Sequence, residues 1–218
     1  MAAAECLAMI HLCRVRVTRL DQFGHPVAGP NNVYISANPM VLTVTPSYEA
    51  GQDLTLVGGC DCIIAEYRGY DKLKRFDLEL DVGAFEPGLM EMMLGATAIL
   101  SSSNPIGVWW PLNQFNCGVP AQPNVCFEAW QDGWNEDQQD ATWPYIHHIF
   151  PSSFWSIGAT TMQNDFTQPK LTGFTRQNTN WGLGIFGDQP ESAQALGGSF
   201  YSTTTPTAAC GYQSHSIT

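Results

Sequence analysis

The sequence predicts a mainly β protein, an antiparallel sandwich or barrel with one short helix on its flank. Three observations carry that expectation: apolar residues recur with a period of two, turn residues interrupt the chain at short intervals, and a single segment has helical punctuation. About ten strand-length runs in one chain suit two stacked sheets or a sheet closed on itself.

Cys13-Arg14-Val15-Arg16-Val17-Thr18 alternates apolar and polar residues, which on a pleated strand sends one set to each face. Phe23-Gly24-His25-Pro26 reads as a turn, and Val33 to Ala37 and Met40 to Thr45 as the next strands. Leu54 to Val57 and Cys62 to Tyr67 follow, separated by Gly58-Gly59. The cleanest alternation is Phe76-Asp77-Leu78-Glu79-Leu80-Asp81-Val82, which places Asp77, Glu79 and Asp81 together on one wet face. Glu86 to Gly95 is the helix, with Pro87 in the first turn, acids where the helix dipole favours them, Leu89, Met92 and Met93 on one stripe, and Gly95 as a left-handed cap. It is expected to plug an open end or side of the sheet, its methionines filling irregular gaps in the core. Val125 to Trp130, Tyr145 to Phe150, Ser156 to Met162 and Leu171 to Arg176 complete the strands. Ser101 to Pro123, around Trp109-Trp110-Pro111, reads as a loop pinned by its aromatics, and Gly187 to Thr218 as a terminal arm or tail without period.

Only 13% of residues are charged, about half the usual share. Nine basic and 20 acidic side chains give a net charge of −11, which disfavours attraction to nucleic acid or to an anionic membrane. Seven of the nine bases precede position 76, and none occurs between Phe76 and Gln168, a stretch with eleven acids. Such an asymmetry would let a basic edge of one copy meet an acidic edge of the next; solvated acidic loops are the alternative. The most apolar stretch, Val82 to Leu100, is broken by Glu86, Pro87 and Glu91, so no membrane span is expected. The opening Ala2 to Ile10 contains Glu5 and lacks a basic start, unlike a signal peptide. Seven cysteines without a regular framework predict mostly free thiols in a reducing cytoplasm.

Motifs that resemble chemical sites fail on context. Gly182-Leu183-Gly184-Ile185-Phe186-Gly187 has the spacing of a dinucleotide loop but no βαβ unit around it. Cys60-Asp61-Cys62 supplies half a zinc site with no second pair to complete it. His147 and His148, adjacent on a strand, point to opposite faces and do not share a metal. Asp77, Glu79 and Asp81 could host a glycosidase pair, yet nothing marks a cleft. No enzyme activity, cofactor or metal is expected. Seven tryptophans leave a carbohydrate-binding β-sandwich as an alternative, set against Trp109, Trp130, Trp134, Trp143, Trp155 and Trp181 filling core and subunit seams.

Several segments resemble, in order and spacing, the major tail (tail tube) proteins of long-tailed bacteriophages infecting actinobacteria. They are Cys13 to Asp21, Gly24-His25-Pro26-Val27, Val44 to Gly51 leading into Leu54-Thr55-Leu56, Asp71 to Leu80, Phe85 to Met90, Phe127 to Trp130, Tyr145 to Pro151 and Asn180 to Gly184. The resemblance implies a tail-tube β domain over 13–187, an N-terminal arm over 1–12 and a C-terminal extension or arm over 188–218. It further implies stacked hexameric rings that conduct double-stranded DNA from capsid to host around a tape-measure protein, in a virion tail assembled in the host cytoplasm. A long hairpin would bridge to the next ring, turning near Tyr48-Glu49-Ala50-Gly51-Gln52-Asp53, and Asp77, Glu79 and Asp81 would face the lumen or a ring seam. Tail terminators and distal tail proteins share the fold as single rings and are the alternative within the same class.

Overall fold

The computed structural model describes residues 7–57, 59–102, 104–109, 122–135, 137–160, 168–178, 180, 196–206 and 210–215. In chain order these form β1 (Ala8–Arg19), β2 (Gly29–Ser36), β3 (Pro39–Glu49), β4 (Asp53–Val57), β5 (Ile63–Arg68), β6 (Lys72–Val82) and helix α1 (Pro87–Leu94). There follow β7 (Thr97–Ser101), β8 (Asn104–Trp109), β9 (Val125–Asn135), β10 (Gln138–Gln139), β11 (Tyr145–Ile157), β12 (Lys170–Thr175), β13 (Gly198–Ser202) and β14 (Gly211–His215).

One large antiparallel sheet runs in the order β14-β2-β1-β9-β11-β12-β6-β3, with β10 added to β9 and β13 to β11. β1 and β3 touch although four strands separate them in that order, so the sheet curls around its own core. Strand β11 makes the corner. Its first half pairs with β9 and β13, the register shifts between Phe150 and Ser153, and its second half pairs with β12. A bulge of this kind bends a strand and raises its twist.

Alternation decides which side chains fill the curl. Val15 and Val17, Leu78, Leu80 and Val82, Phe127 and Ala129, Trp155 and Leu171 all point inward and are buried. Helix α1 lies across the opening, packed against β1, β2, β8 and β11, and buries Leu89, Met90, Met92 and Met93. Gly88 is required there, because a Cβ would sit 2.4 Å from the Tyr34 ring. Gly95 closes the helix in the left-handed conformation (φ 66), its N–H bonded to the Glu91 carbonyl. No acid occupies the first turn, contrary to the sequence expectation. Glu86 sits at the N-cap, but its carboxylate accepts hydrogen bonds from Ser36 and Asn38 and ties the helix to β2 instead of capping it.

Three other expectations are corrected. Residues 8–12 are not part of an arm: they extend β1 and pair with β9 from Ala8 opposite Trp134, with register shifts about His11, whose φ is 46. The stretch 188–218 is not wholly outside the sheet, since β13 pairs with β11 and β14 with β2. Both strands are short, each sends an aromatic ring, Phe200 or Tyr212, against the core, and their neighbours supply the backbone partners. Nor is 101–123 only a loop, because Asn104–Trp109 pairs with Thr97–Ser101. Trp110, Phe115, Trp181 and the Gly182 to Gly187 motif lie outside the described residues.

Candidate functional site

The feature that packs against no other described element is a projecting β-ribbon. β3 and β6 pair from Pro39 opposite Val82 to Glu49 opposite Lys72, and the same hairpin continues as β4 and β5, from Asp53 opposite Arg68 to Val57 opposite Ile63. Tyr48-Glu49-Ala50-Gly51-Gln52-Asp53 is therefore not the turn; it carries the chain from the sheet into the ribbon. The turn is the short 3-10 segment Gly59–Asp61, where Cys60 has φ 64. At the root, the Gly51 N–H bonds to Asp71 Oδ1 (3.0 Å) and the Gly69 N–H to the Gln52 carbonyl (2.9 Å). Gly51 serves a close approach of two backbones, since a Cβ there would lie 2.1 Å from the Gly69 carbonyl oxygen. Gly51→Ala is expected to loosen this root, seen as faster amide hydrogen exchange across 53–68 with β9 and β11 unchanged.

All eleven residues of β4 and β5 are exposed. Cross-strand partners share a face, so Leu54 with Tyr67 and Leu56 with Ala65 form an apolar side, joined by Ile63 through alternation. Asp53 with Arg68 and Thr55 with Glu66 form the other side, which is polar except for the exposed Ile64 toward the tip. Leu54, Leu56, Ile63 and Tyr67 are 51–63% exposed. The pattern is that of a half-buried ribbon, and no described residue buries its apolar side. Edge strand β3 adds Met40, Val41, Val44 and Tyr48, all exposed, and β14 forms the other edge of the sheet.

Asp77, Glu79 and Asp81 do lie on the outward face of β6, with Leu78, Leu80 and Val82 turned to the core. The face is mixed in charge: Arg75 pairs with Asp77 (2.8 Å), and Lys170 with Glu79 (2.8 Å), its register partner being Asp81. Hydrogen bonding and the charge of Glu79 raise the Lys170 pKa. Exposed pairs of this kind contribute little to stability.

On the opposite side of β9 lies a charged group that sequence reasoning did not single out. Glu128, fully buried, accepts from Arg16 Nε (2.6 Å) and Nη2 (2.7 Å), and its Oε1 lies 3.1 Å from His147 Nε2. Trp130 stacks on His147 with ring centroids 4.0 Å apart, and the Arg16 guanidinium lies 5.1 Å from the Trp130 centroid. Both carboxylate oxygens are engaged, so Glu128 clamps β1, β9 and β11 in register. A cavity of about 430 Å³ adjoins the group, bordered by Trp143, Tyr201 and Thr203 to Pro206. A lone Glu in the apolar run Val125 to Trp130 was the available signal. His147 and His148 do point apart, the second toward Ser199 and Gln131.

Burial would raise the Glu128 pKa, but the Arg16 charge and hydrogen bonds from His147 and Arg16 outweigh it and hold the carboxyl near 2, against an ordinary 4.5. A depressed carboxyl contributes stability that is complete above the unfolded-state pKa and is lost as pH falls toward the folded one. The unfolding midpoint is therefore expected to drop between about pH 4.5 and pH 2. Glu128→Gln should lack that component of the acid response.

Five described cysteines, Cys13, Cys60, Cys62, Cys126 and Cys210, are free, and no cluster among the described residues is arranged to hold a metal ion. No described helix is long and apolar enough to cross a membrane. No protein-family model matches the chain, and no curated protein matches it.

Proposed function

We propose that the chain is a structural subunit that assembles with copies of itself, as a tail-tube protein whose stacked hexameric rings conduct double-stranded DNA. The observation that carries this reading is the β4–β5 ribbon, which exposes one apolar face over its whole length. A two-stranded ribbon is marginal alone in water, and a contiguous apolar face of this kind marks an interaction surface. Among the described residues β3 and β14 end the sheet with no further strand paired to them, which supports the reading, because strand pairing between subunits satisfies backbone groups that otherwise invite uncontrolled aggregation. An acidic chain also suits a conduit, since a net charge of −11 repels a polyanion that must slide.

Sedimentation velocity across a wide concentration series tests it. Mass-action growth into closed or stacked oligomers is expected; a monomer at every concentration contradicts it. A single-ring tail component would stop at one ring. A carbohydrate-binding module has the exposed Trp109 and Trp143 in its favour and would stay monomeric while binding glycans.

A further inference from the structure

At the root of the ribbon a cleft of about 450 Å³ is lined by Leu73, Lys74, Arg75, Phe174, Arg176 and Gln177 among others. Phe154 and Phe174 stack, with centroids 5.7 Å apart and planes 24° from parallel. Arg176 lies 4.9 Å from the Phe154 centroid and 5.9 Å from that of Phe174, and Arg75 lies 5.1 Å from Phe174. Stacking occupies one face of a guanidinium and leaves its N–H edge for a pair of oxygens, the geometry that suits a carboxylate. Arg75 is paired with Asp77. Among the described residues, neither Lys74 nor Arg176 is in an ion pair. A chain with 20 acids and nine bases thus gathers three bases around one cleft.

We propose that this cleft binds the Asp137 carboxylate of a second copy of the chain, at the turn between β9 and β10. The inference rests on the self-assembly reading above and names the charge pairing that would set its register. The occupant follows from complementarity. The stretch from Phe76 to Gln168 carries eleven acids and no base, and within it Asp137, at that turn, is exposed and in no ion pair among the described residues. Glu136 precedes it in sequence. The net charge of −11 opposes approach of any acidic partner, but at physiological salt the Debye length is about 8 Å, so short-range pairing decides. A single exposed carboxylate at a turn meets far less long-range repulsion than a duplex with a charge every ~1.7 Å.

The test is sedimentation velocity of the full chain in a salt series, comparing wild type, Arg176→Glu, Asp137→Lys and the double variant. Each single reversal should raise the concentration of half-association on the order of tenfold, with the monomer's unfolding midpoint unchanged, and the exchanged pair should recover it. The wild-type affinity should fall with salt. Unchanged association of Arg176→Glu in an assembling background overturns the cleft while leaving self-assembly intact; a monomeric wild type overturns both. Weakening without recovery in the double variant overturns the assignment to Asp137. A lowered midpoint with unchanged association overturns it in favour of a partner within the same chain. Binding of a duplex oligonucleotide by wild type but not by Arg176→Glu overturns it in favour of a nucleic acid.

Discussion

Leu56→Asp will abolish or greatly weaken self-association while leaving the monomer as stable as wild type. Leu56 is 58% exposed and sits opposite Ala65 on the apolar side of the ribbon, so the substitution removes no core contact. Exposed substitutions of this sort shift folding stability by no more than about 0.5 kcal/mol. In an assembly the same position would be covered, and an unpaired carboxylate buried there would cost at least about 2 kcal/mol, a roughly thirtyfold loss of affinity per contact. Far-UV circular dichroism with thermal unfolding checks the first half and sedimentation velocity the second. Thr55→Asp, on the polar side, is the control and should assemble normally. Equal weakening by both variants would mean that the faces are not distinguished and that the apolar side is not what a neighbour covers.

Glu128→Ala is the substitution expected to damage the fold most. It leaves Arg16, whose side chain is only 14% exposed, without its bidentate partner, and His147 without the carboxylate that it contacts. Breaking a buried pair by removing one member typically costs about 3–5 kcal/mol, a large part of a total stability of about 5–15 kcal/mol. The double variant Arg16→Met/Glu128→Leu replaces the pair by apolar groups and should recover most of that loss, because it restores packing without leaving a charge to desolvate. Chemical denaturation of the three proteins measures both quantities. A Glu128→Ala protein within about 1 kcal/mol of wild type would show that the group is solvated and is not the clamp described here.

The readability of the chain follows from how many faces each strand buries. β6 has one face in the core and one in water, so Leu78, Leu80 and Val82 alternate with Asp77, Glu79 and Asp81, and the strand and its outward face are legible in the sequence. β9 is buried on both faces in its first half, so Val125 to Trp130 shows little alternation, and Glu128 looks like the polar side of a strand when it is a fully buried charge. Its partners Arg16 and His147 lie more than a hundred and about twenty residues away respectively, and pairing at such separation is set by sheet topology, which local pattern does not encode. The ribbon was half legible. Leu54-Thr55-Leu56 alternates, but Glu49-Ala50-Gly51-Gln52-Asp53 has turn composition, and what Gly51 supplies is room for the Gly69 carbonyl, a requirement created by the opposite strand. β13 and β14 were missed because each is five residues long and shows no sustained alternation; they hold their places by bonding to the backbones of β11 and β2 and by packing Phe200 and Tyr212 against the core.

Electron microscopy of the purified wild-type chain in negative stain, over a concentration series, tests the central claim most directly. Self-assembly through the ribbon and the edge strands β3 and β14 predicts rings with a central hole, and stacks of them at higher concentration. Particles of monomer size throughout, with the ribbon's amides still exchanging as in free solution, would contradict it.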